Sequence, residues 1–209
     1  MIRRSVSLLA AAAVLGAAPL LSACGTPHAG AAAVVGGEAV SVSALQAKVK
    51  EVRDAQADSV TAAGVPEPSS DLSRATLNGI VFDKVLYRAA ADAGVKATRA
   101  EVQKDCAERA RQAGGTEALR TMLLQRYGIA PGEVEEFCRN QATAQKLARK
   151  LGADLQTPEG QAVVLKELST TSRSLDIDIS PRYGTWDDKE LSLNGVKEEW
   201  LRPAEPQGA

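Results

Sequence analysis

From residue 43 to residue 168 the chain is a succession of segments with apolar residues three and four apart, each bounded by capping, glycine or proline signals. A helical period of this kind cannot be satisfied in a sheet, so the pattern limits the core to packed helices. Ser43 and Gln46 read as a capping box opening a first helix, with Leu45, Val49 and Val52 on one face. Residues 60–70, which include Gly64-Val65-Pro66-Glu67-Pro68, break that helix. A second is expected from about Asp71 to Asp92, with Leu77, Ile80, Val81, Val85 and Ala89 at helical spacing. Thr98 and Glu101 form another capping box, ahead of Val102, Cys106 and Ala110. Gly114-Gly115 ends that helix, and Thr116 opens a short one carrying Leu119, Met122, Leu123 and Tyr127. Pro131 suits a first helical position, with Glu133, Glu135 and Glu136 at the positive end and Lys146, Arg149 and Lys150 at the negative end. Val134, Phe137, Cys138, Leu147 and Leu151 face inward. Thr157-Pro158 begins a last helix, striped by Val164, Leu165 and Leu168. The expected fold is mainly α.

Outside this region the period changes. Ala33-Val34-Val35-Gly36-Gly37-Glu38-Ala39-Val40 places a two-glycine turn between two short apolar runs, the pattern of a tight hairpin. Leu175-Asp176-Ile177-Asp178-Ile179-Ser180 alternates over the length of a strand, and a turn-rich segment follows to Trp186. From Gly195 to Ala209 the chain is charged and proline-containing, and is expected to be a flexible tail.

The N-terminus carries a different message. Met1-Ile2-Arg3-Arg4 is basic, Val6 to Leu21 is an Ala/Leu/Val run, and Leu21-Ser22-Ala23-Cys24 follows. Basic start, apolar middle and small residues before a cut are the marks of a secretory signal. The Leu-Ser-Ala-Cys ending resembles the bacterial lipobox, in which the cysteine thiol is diacylglycerylated before a peptidase cuts ahead of it. That resemblance implies a signal peptide over 1–23 and lipidation of Cys24, with the protein anchored to the outer face of the cell membrane. A membrane-spanning helix is the weaker reading, because the run is short and broken by Pro19. Residues 24–32 read as a flexible tether. It holds His28, the single histidine, with no acid/base or ligand partners nearby in sequence.

Several functions fall on composition. The chain has 25 basic and 26 acidic residues, so it lacks the positive charge of a nucleic-acid binder. Seven aromatics are too few for base-stacking platforms. No metal site and no cofactor is implied: one histidine and three cysteines offer little, and the acidic residues Asp176, Asp178, Asp187 and Asp188 match no calcium loop. There is no phosphate-cradling glycine loop, no Gly-x-Ser-x-Gly and no HExxH. Cys106 and Cys138 remain once Cys24 is assigned to lipid. In an exported domain an even pair favours a disulfide over two buried thiols.

Val35-Gly36-Gly37-Glu38-Ala39-Val40-Ser41, with Leu45 and a helix behind it, resembles the opening of SurA-type and PrsA-type periplasmic foldases. Ile129-Ala130-Pro131 before an acidic first turn is similar to that family too, and Pro181-Arg182-Tyr183-Gly184-Thr185-Trp186 resembles the closing segment of actinobacterial members. The resemblance implies a SurA N-terminal-like helical domain over residues 33–194, whose final strand returns to the first hairpin. It also implies what is missing. Full-length relatives carry a parvulin-type prolyl isomerase before the returning strand, whereas the stretch from Leu151 to Asp176 is far too short for one and reads as helix. The expectation is therefore a non-enzymatic chaperone module that holds unfolded or extended polypeptides in the cell envelope. A lipoprotein that uses the scaffold to bind one specific protein or small ligand is the alternative, and residual isomerase activity a weaker one. Phe82, Tyr87, Met122 and Tyr127 are candidate peptide-binding residues, since large apolar side chains are scarce; ordinary core packing competes for each. Trp186 reads as a pin for the returning strand, and Trp200 as a pin or a client contact.

Overall fold

The computed structural model describes residues 30–59 and 69–195, with only the backbone for 69 and 70. The expectations for the leader, Cys24, His28, the loop at 60–68, Trp200 and the tail beyond residue 195 lie outside the described residues.

Strands β1 (Ala31–Val35) and β2 (Glu38–Ser41) form the expected antiparallel hairpin. Gly36 and Gly37 turn it at φ +59° and +83°, both left-handed as a two-residue hairpin turn requires. Strand β3 (Ile177–Ile179) returns antiparallel to β1, giving the order β2-β1-β3. Helices cover the sheet. Ala32, Ala33, Val34 and Val35 are all buried, which is why β1 is a continuous apolar run instead of an alternating one.

Helix α1 (Val42–Asp58) leaves β2 directly. Its cap is Ser41, whose hydroxyl accepts from the Ala44 amide at 3.1 Å; Ser43, the expected cap, already lies in the first turn. The cause is the sheet. Val42 N–H bonds to Gly30 O, so Ser41 is the last extended residue and the one placed to cap. Helices α2 (Ser69–Asp92), α3 (Arg99–Ala113) and α4 (Thr116–Tyr127) follow, with the Thr98–Glu101 capping box formed as expected. Pro131 opens a 3₁₀ turn, Pro131–Glu133, and only then does α5 (Val134–Lys150) begin. Thr157 caps α6 (Pro158–Ser174) through the Gly160 amide. Val164 and Leu168 of that helix are buried, but Leu165 is 46% exposed and does not belong to its inner stripe. On α4 likewise Leu124 is buried, whereas Met122 is not and Tyr127 is 63% exposed.

The centre of the fold is α2, which packs against α1, α5, α6, β1 and the closing hairpin. One apolar cluster runs from Ala32 through Leu45, Leu77, Val81 and Leu147 to Val164, Leu175 and Tyr183. A second, smaller one holds Ala97, Val102, Cys138 and Ala142 between α3 and α5. Cys106 and Cys138 join those two helices there, with Cα atoms 5.4 Å apart. Beyond β3, strands β4 (Thr185–Asp187) and β5 (Ser192–Asn194) form a second hairpin. It is fastened to the helices at three points, one of them Ser172 Oγ–H donating to Asp188 Oδ1 at 2.5 Å. Trp186 Nε1–H donates to Ser172 Oγ at 2.8 Å, and Leu193 N–H donates to Asn78 Oδ1 at 2.7 Å. No helix among the described residues is long and apolar enough to cross a membrane.

Candidate functional site

The period of α2 places Leu72, Thr76, Gly79, Asp83 and Tyr87 on one face. That face looks across to Lys48 and Val52 of α1, to Tyr127 and Ile129 at the end of α4, and to Glu133, Glu136, Phe137 and Asn140 at the start of α5. Between them lies an open groove of about 610 Å³. Gly79 widens it, because a Cβ at that position would meet nothing within 4 Å. Gly128, left-handed at φ +59°, ends α4 and turns the chain so that Tyr127 stands at the rim.

The lining is mostly apolar, with a polar stretch on the side where α2 meets α5. Asp83 Oδ1 accepts from Asn140 Nδ2 at 2.7 Å. The Tyr87 hydroxyl donates its single proton to the Glu136 carboxylate, and the Asn140 side-chain oxygen lies within reach of the same hydroxyl, so the one amide bridges Asp83 and Tyr87. Glu136 in turn accepts from Arg139 Nε at 3.0 Å, and Glu133 is paired with Lys48. Burial pushes the Asp83 carboxyl up to about 6; the Asn140 hydrogen bond opposes this and the nearby Glu136 charge adds to it. Burial and the Glu136 hydrogen bond also raise the Tyr87 hydroxyl.

A carboxyl whose folded pKa exceeds its unfolded one contributes stability below the unfolded pKa and loses it as pH rises through the folded value. For Asp83 that loss spans pH 4 to 6 or slightly above. Asp83→Asn keeps an acceptor for Asn140 and removes the desolvated charge. It is expected to stabilise the protein by on the order of 1–2 kcal/mol over the parent at pH 7.5, and by little at pH 4, in urea unfolding. A difference that does not change with pH would show that folding leaves the Asp83 carboxyl pKa where it is in the unfolded chain.

Phe82, Tyr87 and Tyr127 meet along this groove. Met122 does not; it lines a separate shallow depression with Ala118 and Arg126. Sequence reasoning missed Asp83 and Asn140, and placed Glu136 only as an acid at the positive end of a helix. The available signal was the position of Asp83, four residues from both Gly79 and Tyr87 on one helix face. A third depression, lined by Asp105, Arg109, Gln145 and Asp154, is strongly polar, and Arg109 there stacks 5.5 Å from the Phe137 ring centre. No cluster of metal-ligating side chains occurs among the described residues.

No curated protein and no solved structure matches the chain. A family model described as a SurA-like N-terminal domain matches residues 2–148, about 70% of it. The match ends within α5, so α6, β3 and the closing hairpin lie beyond it. SurA-like N-terminal domains are chaperone-type, non-catalytic modules of extracytoplasmic proteins. With its hairpin-to-helix opening and its helical cradle, this chain belongs to the family of SurA-like N-terminal domains.

Proposed function

We propose that the protein is an envelope lipoprotein, held to the membrane through Cys24, that binds unfolded or extended polypeptide segments without catalysis. The observation that carries this is the groove. It is open, walled by Leu72, Ile80, Phe82 and Tyr127, and large enough for a few side chains of an extended segment. Binding of that kind needs apolar surface and no nucleophile, base or cofactor. The Leu-Ser-Ala-Cys24 motif supports the anchor and the short tether behind it supports display outside the cell.

The exported protein, purified, is expected to suppress aggregation of several unrelated unfolded proteins at near-stoichiometric amounts. Gly79→Phe would fill the groove on a helix that already tolerates glycine, so folding is retained while protection falls about fivefold or more. Protection of none of these proteins, together with capture of a single partner, would favour a dedicated binder instead. The anchor has its own readout: Cys24→Ala abolishes lipid labelling and releases the protein from membranes, and persistent labelling would overturn it.

A further inference from the structure

We infer that the groove selects polypeptide segments in which a lysine or arginine is flanked by apolar residues, with Asp83 receiving the cation. The inference rests on the polypeptide-binding reading above and names the chemistry of its ligand.

It follows from how the charges around the groove are matched. Three carboxylates line it: Asp83, Glu133 and Glu136. Glu133 is held by Lys48, and Glu136 by Arg139. Lys84, the other cation on the lining, is held by Glu38 of the first hairpin. Asp83 alone of the three has no ion-pair partner among the described residues, and its one hydrogen-bond donor there is the Asn140 amide. It is also partly desolvated, which raises the cost of its negative charge and so the gain from supplying a cation. Leu72, Ile80 and Phe82 share its helix and line the same groove, giving apolar neighbours of the cation a surface to cover. The aromatic rings of Phe82 and Tyr127 suit the alkyl stem and charged head of a long basic side chain.

The groups that face Asp83 set its pH response. Lys48 of α1 favours its charged form; Glu133 before α5 and Glu136 on it oppose that form; Asn140 donates to it. Above pH 7 the carboxylate is charged and the preference for a cation is present. Below about pH 5 it is protonated and the preference fades.

Three labelled apolar peptides, identical except for lysine, norleucine or glutamate at the centre, test this by fluorescence anisotropy with the exported protein. At pH 7.5 the lysine peptide is expected to bind about tenfold more tightly than the norleucine peptide, and the glutamate peptide more weakly than either. In Asp83→Asn the ratio of lysine to norleucine affinity is expected to fall to about one, a change that a merely distorted groove, weakening both peptides alike, would not produce. The lysine advantage should also shrink at pH 5. Equal binding of all three by the parent would overturn the cation preference and leave the groove reading standing. Binding of none would overturn the groove reading and the inference with it. A lysine advantage that survives Asp83→Asn would place the cation elsewhere and overturn the role of Asp83.

Discussion

Replacing Cys106 and Cys138 together by alanine is expected to lower stability by about 3–4 kcal/mol, and the melting temperature by roughly 10 °C. The bonded pair is 32 residues apart, so breaking it releases a loop of that size into the unfolded ensemble. The location adds to the effect. Cys138 is fully buried in the small cluster between α3 and α5, a cluster separate from the main core. Helix α3 packs chiefly on α4 and α5, and the covalent tie adds to the Arg109–Gln141, Gln145–Asp105 and Lys146–Glu101 contacts that hold it to α5. The same tie bears on the groove, because Phe137 and Asn140 flank Cys138 on α5. Hydrogen exchange should rise first in α3, and alkylation of the unreduced parent should leave both thiols unmodified. A loss below about 1 kcal/mol, or alkylation of both thiols before reduction, would remove the disulfide from the account.

The parts of this architecture that can be read from sequence are those set by local chemistry. Gly36-Gly37, the Thr98–Glu101 box, Gly114 and Thr157-Pro158 each mark an element boundary because backbone groups near them need that residue type. The misplaced cap at Ser43 has the opposite origin. Which serine caps depends on where β2 stops pairing, and that is settled by Gly30, twelve residues upstream of Val42. Helix faces were legible to within a residue or two. Leu165 and Tyr127 fit the helical period but point outward, since a period gives a stripe without saying how wide its partner is. The groove was half legible. Scarcity of large apolar residues singled out Phe82, Tyr87 and Tyr127, yet the Asp83–Asn140–Tyr87–Glu136 network joins α2 to α5 across some 50 residues, and no spacing rule reaches that far. The β4–β5 hairpin was hidden for a related reason. Its strands are three residues each, and pairing is sustained by Trp186 on Ser172 of α6, 14 residues back, and by Leu193 on Asn78 of α2, 115 residues back.

Gly184→Ala is expected to be the most disruptive single substitution in the closing segment, costing on the order of 3–5 kcal/mol. Gly184 stands at φ +108° and ψ −150°, a region closed to residues with a side chain. An added Cβ would lie 1.9 Å from the backbone oxygen of Asn194, so the β4–β5 hairpin would have to open. How far that damage spreads tests the proposal that residues 33–194 fold as one unit. The family match stops at residue 148, yet Leu168, Leu175, Ile179, Tyr183 and Leu191 share a cluster with Leu45, Leu77 and Leu147. Burying those side chains against the upstream helices couples the two parts, so losing the hairpin should weaken the whole core. In a Trp200→Phe background, Trp186 fluorescence reports the closing hairpin and far-ultraviolet circular dichroism reports the helices. The two unfolding curves should coincide in the parent and shift together in Gly184→Ala. If the substitution moves only the fluorescence curve, the upstream helices stand without the β4–β5 hairpin. The β4–β5 hairpin would then be an appendage to the domain, contributing nothing to the stability of the groove.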